Sequence, residues 1–275
     1  MARFHGKPRT QPRFSANDNT GQIILDDFSL RLPQPFATRS IEWLKSHPED
    51  VCELEAFLKV AKQADGLMFD VGAHVGAFAT LFCKVSAYDA VAFEPVPELQ
   101  TIIKRMAELN HLQDERIQLV GKAIGDEVGL LEMQIDQATG FAQIQLDQGS
   151  EFRPPSTIIA ATTSVDVARS GLQTRVALLK IDVEGFEQEV LRGSHCVLSQ
   201  DRPIVSIEIH NSCLARRDID LKRMLDEVVS HDYSLLRLNG RRISASAAAR
   251  TFLWRSHLLA VPREKCSFYE RFLRD

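Results

Sequence analysis

The stretch Leu67-Met68-Phe69-Asp70-Val71-Gly72-Ala73-His74-Val75-Gly76-Ala77-Phe78 decides the fold. Its apolar start ends in an acid, Asp70, and Gly72 follows almost at once. A second glycine, Gly76, precedes an apolar, helix-compatible run from Ala77 to about Val85. This is the pattern of a buried strand, a tight glycine turn and a helix start. Gly72 lets the backbone turn sharply and come close to a ligand. Gly76 lets the helix pack closely on the sheet. The free N–H groups of the first helical turn then face whatever sits above the strand end. A dinucleotide-binding turn wants glycine at relative positions one, three and six. Here position three is His74, so that spacing fails. Taken alone, the stretch also reads as a plain strand–turn–helix with no ligand.

The rest of the chain sets the bounds. It has 275 residues, 44% hydrophobic and 25% charged, which suits one large α/β domain, or a domain with a small extension. A net charge of −4 gives no general attraction to nucleic acid or an anionic membrane, so neither is expected as a partner. The five cysteines, Cys52, Cys83, Cys196, Cys213 and Cys266, form no C-x-x-C pair and read as reduced thiols in a cytoplasmic protein. No apolar run reaches the length of a membrane span. The sequence carries no signal for an oligomeric state.

Residues 1–20 are polar and basic, with Arg3, Lys7, Arg9 and Arg13, and read as a flexible tail. A nucleic-acid arm is the sharper alternative. Residues 21–65 form a unit of short strands and a flanking helix. Ser46, Pro48 and Glu49 give that helix a capping serine, an early proline and an acid three residues after the serine. The main domain spans 66–262, with an inserted hairpin at about 128–147, and 263–275 is a C-terminal tail. Within it, Asp89 to Phe93 is a second strand ending in Glu94-Pro95. Glu94 lies 22 residues past Gly72. An acid at that place commonly takes ribose hydroxyls, because a carboxylate accepts two hydrogen bonds from a vicinal diol. Pro97 then opens a helix. Arg116 to Val120 is a third strand, and the turn after it carries Ala123 and Ile124, which suit an adenine face. Val176 to Ile181 is a buried strand ending in Asp182 and Glu184. Ile204 to Ile209 ends in Glu208, His210 and Asn211. Acids at strand ends sit where open parallel sheets bind ligands. The loop 239–250 joins two final strands.

Six motifs now stand in one order: FDVGAHVG (69–76), FEP (93–95), AIGD (123–126), SVD (164–166), KIDVEGFE with VLRG (180–193) and IEIH (207–210). Together they resemble the FkbM family of S-adenosylmethionine (SAM)-dependent methyltransferases, over about residues 66–261. The resemblance implies a class I methyltransferase, Rossmann-like α/β fold. That fold has a seven-stranded, mostly parallel sheet with the last strand antiparallel and helices on both faces. It implies SAM as cofactor and O-methylation of a hydroxyl on a sugar, glycolipid or polyketide-like acceptor. Asp70, Gly72, Ala73, His74, Gly76, Glu94, Pro95, Ala123, Ile124 and Asp182 are then the cofactor-binding candidates. The family usually carries Asn where this chain has His74, beside the methionine part of the cofactor.

An alcohol has a high pKa, so a general base, or a metal that lowers that pKa, helps the transfer. His210 is the expected base, since its ordinary pKa is near 6.5. Glu208 orients it or meets a sugar hydroxyl, and Asp182 and Glu184 complete the catalytic set. Mg²⁺ on Asp182, Glu208 and Asn211 is the alternative, from their hard oxygen ligands. Glu184 also reads as a dipole-favouring acid at a helix start, and His210 as a satisfied strand-end histidine. Lys180 shares the side of Asp182 and neutralises the acids. A SAM-binding scaffold without turnover and a nicotinamide-dependent oxidoreductase are the competing functions.

Overall fold

A computed structural model describes residues 11–25, 28–135, 142–144, 156–252 and 254–274. The chain starts with β1 (Arg13–Ala16), β2 (Thr20–Leu25) and β3 (Phe28–Pro33), an antiparallel three-stranded sheet. Arg13–Ala16 therefore pairs as a strand, where composition alone suggests a tail; residues 1–10 lie outside the described residues. Helices α1 (Phe36–Ser46) and α2 (Pro48–Lys62) follow. Ser46 is not the cap of α2. It ends α1, and its hydroxyl donates to the carbonyls of Glu42 and Trp43. His47 precedes Pro48 without a side-chain cap, and the proline alone sets the helix start.

The main sheet is built from β4 (Leu67–Val71), β5 (Ala90–Phe93), β6 (Ile117–Val120) and four later strands. Between the first three lie α3 (Ala77–Val85) and α4 (Pro97–Leu109). Next comes a smaller sheet of β7 (Ala123–Ile124), β8 (Gly129–Ile135), β9 (Ala142–Ile144) and β10 (Ser156–Thr163). The expected hairpin is the β8–β9 pair, with Met133 opposite Ile144. Two further strands join it. Ala123 and Ile124, expected in a turn, pair in parallel with Thr162 and Thr163. The segment 147–155, read as a loop, lies outside the described residues.

The chain returns through α5 (Val165–Arg169), β11 (Val176–Ile181), α6 (Glu187–Arg192), β12 (Ile204–His210), α7 (Asn211–Arg216) and α8 (Leu221–Ser230). It ends with β13 (Tyr233–Leu236), α9 (Ala245–Thr251), β14 (Arg255–Pro262) and α10 (Arg263–Phe272). The expected C-terminal tail is thus mostly a helix, with Cys266 and Tyr269 buried, and the expected loop 239–250 contains most of α9.

The seven strands lie in the order β13-β14-β12-β11-β4-β5-β6. β14, the last in the chain, runs antiparallel to both neighbours, and the rest of the sheet is parallel. This is the class I methyltransferase sheet, with apolar cores on both faces. Strands covered on both faces need apolar side chains throughout. That is why β5 and β11 are buried at every position. The register sets Lys180 beside Asp70, and Val71 beside Phe93. It thereby brings Asp70, Glu94, Asp182 and His210 to one carboxyl edge. No helix among the described residues is long and apolar enough to cross a membrane.

Candidate active site

The glycine turn is locked from below. Gly72 has φ +79°, and a Cβ there would lie 1.9 Å from the Asp182 carbonyl oxygen. Its freedom serves the close approach of β4 and the end of β11. The N–H groups of Gly72 and Ala73 donate to the Phe93 carbonyl at 3.2 and 3.1 Å. Asp70 is buried, and its Oδ2 accepts the Ala79 N–H at 3.0 Å, fixing the first turn of α3. Burial pushes its pKa from 3.8 up to about 7. A buried acid with a raised pKa supports folding fully below its unfolded pKa and loses that support as pH rises through the folded one. Wild type therefore loses stability between about pH 4 and 7 relative to Asp70→Asn, which keeps an acceptor for Ala79. Melting curves of both proteins across that window check it; parallel curves would contradict it.

Above the turn lies an open cleft with a cavity volume of about 110 Å³. Gly72, His74, Glu94, Pro95, Ala123, Ile124 and Asp182 line it, together with Glu184. Asp70, Ala73 and Gly76 are absent from that lining and support it instead. Phe93, Leu99, Leu131, Met133 and Phe186 supply apolar walls. Leu131 and Met133 come from β8, so the small sheet forms one side of the cleft. Glu94 Oε2 accepts the His74 N–H at 2.8 Å, and Oε1 accepts the Val96 N–H at 2.9 Å. Burial raises its pKa to about 7, against the pull of those two donors.

His210 lies behind Asp182 and Glu184, with Glu208, and neither His210 nor Glu208 lines the cleft. Its Nδ1 donates to Glu187 Oε1 at 2.8 Å. Its Nε2 faces Glu184 Oε2 and Glu208 Oε1, each at 3.5 Å, and Asp182 Oδ1 at 3.8 Å. Burial opposes a charge on the ring, but the surrounding carboxylates prevail and lift its pKa to about 12. His210 is therefore an imidazolium at neutral pH and starts with no free site for a proton. This revises its reading as the base. Burial raises Glu184 to about 7, and burial with the nearby Glu208 raises Asp182. Glu184 sits at φ 51°, next to Gly185 at φ 101°. That backbone is uncommon for a residue with a side chain.

Further groups complete the cluster. Glu187 is fully buried and also accepts the Gly185 N–H at 3.1 Å. Arg255 Nη1 lies 2.9 Å from Glu208 Oε1. Lys180, Glu53 and His257 close the rear of the site.

The residues as placed do not fit the divalent ion that the sequence allows. Asp182, Glu208 and His210 bring ligand atoms within 4.8 Å of one another. His210 Nδ1, however, is engaged by Glu187, and Lys180 and Arg255 already neutralise the acids. The Asn211 amide donates to the Phe252 carbonyl at 2.6 Å.

A family model described as the methyltransferase FkbM domain matches residues 70–235. No curated protein matches the chain. Among solved structures, methyltransferase FkbM from Methylobacillus flagellatus KT is similar, at 16% identity and a TM-score of 0.46. The match covers 71% of this chain and only 43% of that one, so this chain spans less than half of its length. A ribosomal protein L11 methylase from Lactobacillus delbrueckii subsp. bulgaricus is 14% identical, with a TM-score of 0.42, covering 78% of this chain and 79% of that one. An rRNA methylase from Streptococcus thermophilus is 9% identical, with a TM-score of 0.44, covering 76% and 94%. The family match takes in the glycine turn, Glu94 and the acids after β11, and on that match the chain belongs to the methyltransferase FkbM domain family.

Proposed function

We propose that the protein transfers the methyl group of SAM to a hydroxyl of a sugar, glycolipid or polyketide-like acceptor. One observation carries the reading: Glu94 after β5 and the acids Asp182 and Glu184 after β11 face a single cleft over the Gly72 turn. The donor set fits a nucleoside with cationic groups. Each Glu94 oxygen keeps a lone pair for a ribose hydroxyl beside the backbone bond it already accepts. Ile124, Ala123 and Phe186 suit a flat base. Asp182, with 30% of its side chain exposed, faces the ammonium or sulfonium side.

SAM supplies a methyl group that is already strongly electrophilic. The protein's part is to hold an oxygen in line with it and receive the proton. Glu184 faces the cleft, and its pKa of about 7 suits a base at neutral pH. His210 is a positioning residue. Its charge favours the ionised form of Glu184, and Glu187 fixes its ring.

Thermal shift tests the cofactor directly. SAM at about 100 times its dissociation constant adds about 2.7 kcal/mol of stability, and NAD adds none. A rise with NAD and none with SAM would favour the oxidoreductase. A second expectation concerns His210→Gln. Loss of the positive charge raises the pKa of Glu184, so the acid limb of the methylation rate moves to higher pH. An unmoved limb would place the base elsewhere.

A further inference from the structure

Lys180 is fully buried near the C-terminal end of β11, a costly place for an ammonium. Its Nζ lies 3.0 Å from Glu53 Oε1 on α2, 3.6 Å from Asp182 Oδ2 and 3.9 Å from Glu208 Oε2. Glu53 is thus its near partner, and neither residue lines the cleft. Glu53 is itself anchored: His257 Nδ1 lies 3.2 Å from the same oxygen, and His257 Nε2 lies 3.1 Å from Asp50 Oδ1. Phe78 covers the ammonium, its ring centre 4.8 Å away. The titratable groups facing Lys180 are therefore Glu53 from α2, Asp70 from β4, Asp182 after β11 and Glu208 from β12, with His257 and Arg255 of β14 behind them.

We propose that Lys180, held back by Glu53, is a positioning residue that sets the charge Asp182, backed by Glu208, presents to the cofactor. Helix α2 is then part of the active site, although it lies outside the residues the family model matches. The inference rests on the SAM reading above. Lys180 has two opposed effects. Its charge weakens the hold of the two acids on a proton. If it came closer, it would compete with the cationic groups of SAM for the same oxygens. Glu53 holds it at the distance that does the first without the second.

Calorimetric titration of SAM into wild type, Glu53→Gln, Lys180→Met and the double variant tests this. Lys180→Met makes Asp182 and Glu208 hold a proton more tightly. SAM binds it about tenfold more weakly near pH 6.5 and recovers to within about twofold near pH 8.5. Glu53→Gln frees the ammonium to close on the acids, so its loss, about fivefold, is the same at both pH values. Acting through Lys180, Glu53→Gln adds nothing in the Lys180→Met background. Equal loss at both pH values for Lys180→Met, or additive losses in the double variant, would show a merely structural role and overturn the proposal. If Lys180→Met does not fold, Glu53→Gln decides alone: the fivefold loss at an unchanged melting temperature supports the proposal, and wild-type affinity overturns it. Wild type that binds no SAM would overturn the cofactor reading, and this inference with it; wild type that binds while the variants behave otherwise would overturn the inference alone.

Discussion

Glu94→Ala binds SAM at least about 30-fold more weakly than wild type, the largest single loss expected at the cofactor site. Hydrogen bonds to a charged group contribute about 1.5–3 kcal/mol each, and 2 kcal/mol alone is about 30-fold. Truncation has a second cost. The N–H groups of His74 and Val96, which donate to Glu94 at 2.8 and 2.9 Å, lose their acceptor, and the glycine turn loses its clamp. Glu94→Gln keeps the shape and one acceptor, so its loss is smaller. Protonation adds a signature. The Glu94 pKa is near 7, and a protonated carboxyl is the weaker acceptor. Wild-type affinity for SAM therefore climbs as pH rises from about 6 to 8, and that slope vanishes in Glu94→Gln. Calorimetry reads both, and unchanged binding in Glu94→Ala would remove the ribose role.

Gly72→Ala is the second. A methyl group would meet the Asp182 carbonyl oxygen at 1.9 Å, in a backbone conformation that side chains disfavour. The strained conformation and the overpacking together cost about 2–5 kcal/mol, a drop of roughly 5–15 °C in melting temperature. The shift that relieves the contact separates β4 from the end of β11, and so moves Asp182 relative to Glu94. SAM binding is lost even in the fraction that folds. Gly171→Ala is the control: nothing lies within 4 Å of the added methyl, and its melting temperature stays near wild type. Equal behaviour of the two variants would show that the turn is not under the constraint described.

The sheet was legible because its strands announce themselves chemically. Apolar runs such as Val176 to Ile181 end in acids, and buried parallel strands tolerate little else. The edges were less legible. Arg13–Ala16 pairs on one side only and stays largely exposed, so its polar composition looks like a tail. The cleft candidates came from the motifs and the family they resemble, and seven of the ten line it. Asp70, Ala73 and Gly76 do not, because the chain beneath a tight turn must also be held in place.

The rear of the site was hidden for a physical reason. In α2 the apolar positions Val51, Leu54 and Phe57 mark the core face, and nothing in the sequence marks Asp50 and Glu53 for burial beside them. Their burial depends on partners more than 200 residues away, Arg255 and His257. One signal was present: two cationic side chains at alternating positions of an otherwise apolar β14 share one face of the sheet. Glu187 stood inside the KIDVEGFE motif without an assigned role. The surroundings of His210 were hidden for the same reason. Its ordinary pKa suggests a base, and only the geometry shows four carboxylates around the ring.

A crystal structure with bound S-adenosylhomocysteine tests the central claim most directly. The account predicts the ribose hydroxyls on the Glu94 carboxylate, the base against Ile124, and the amino-acid end between His74 and Asp182. A nucleoside seated outside this cleft, or inside it with its ribose turned away from Glu94, would contradict it.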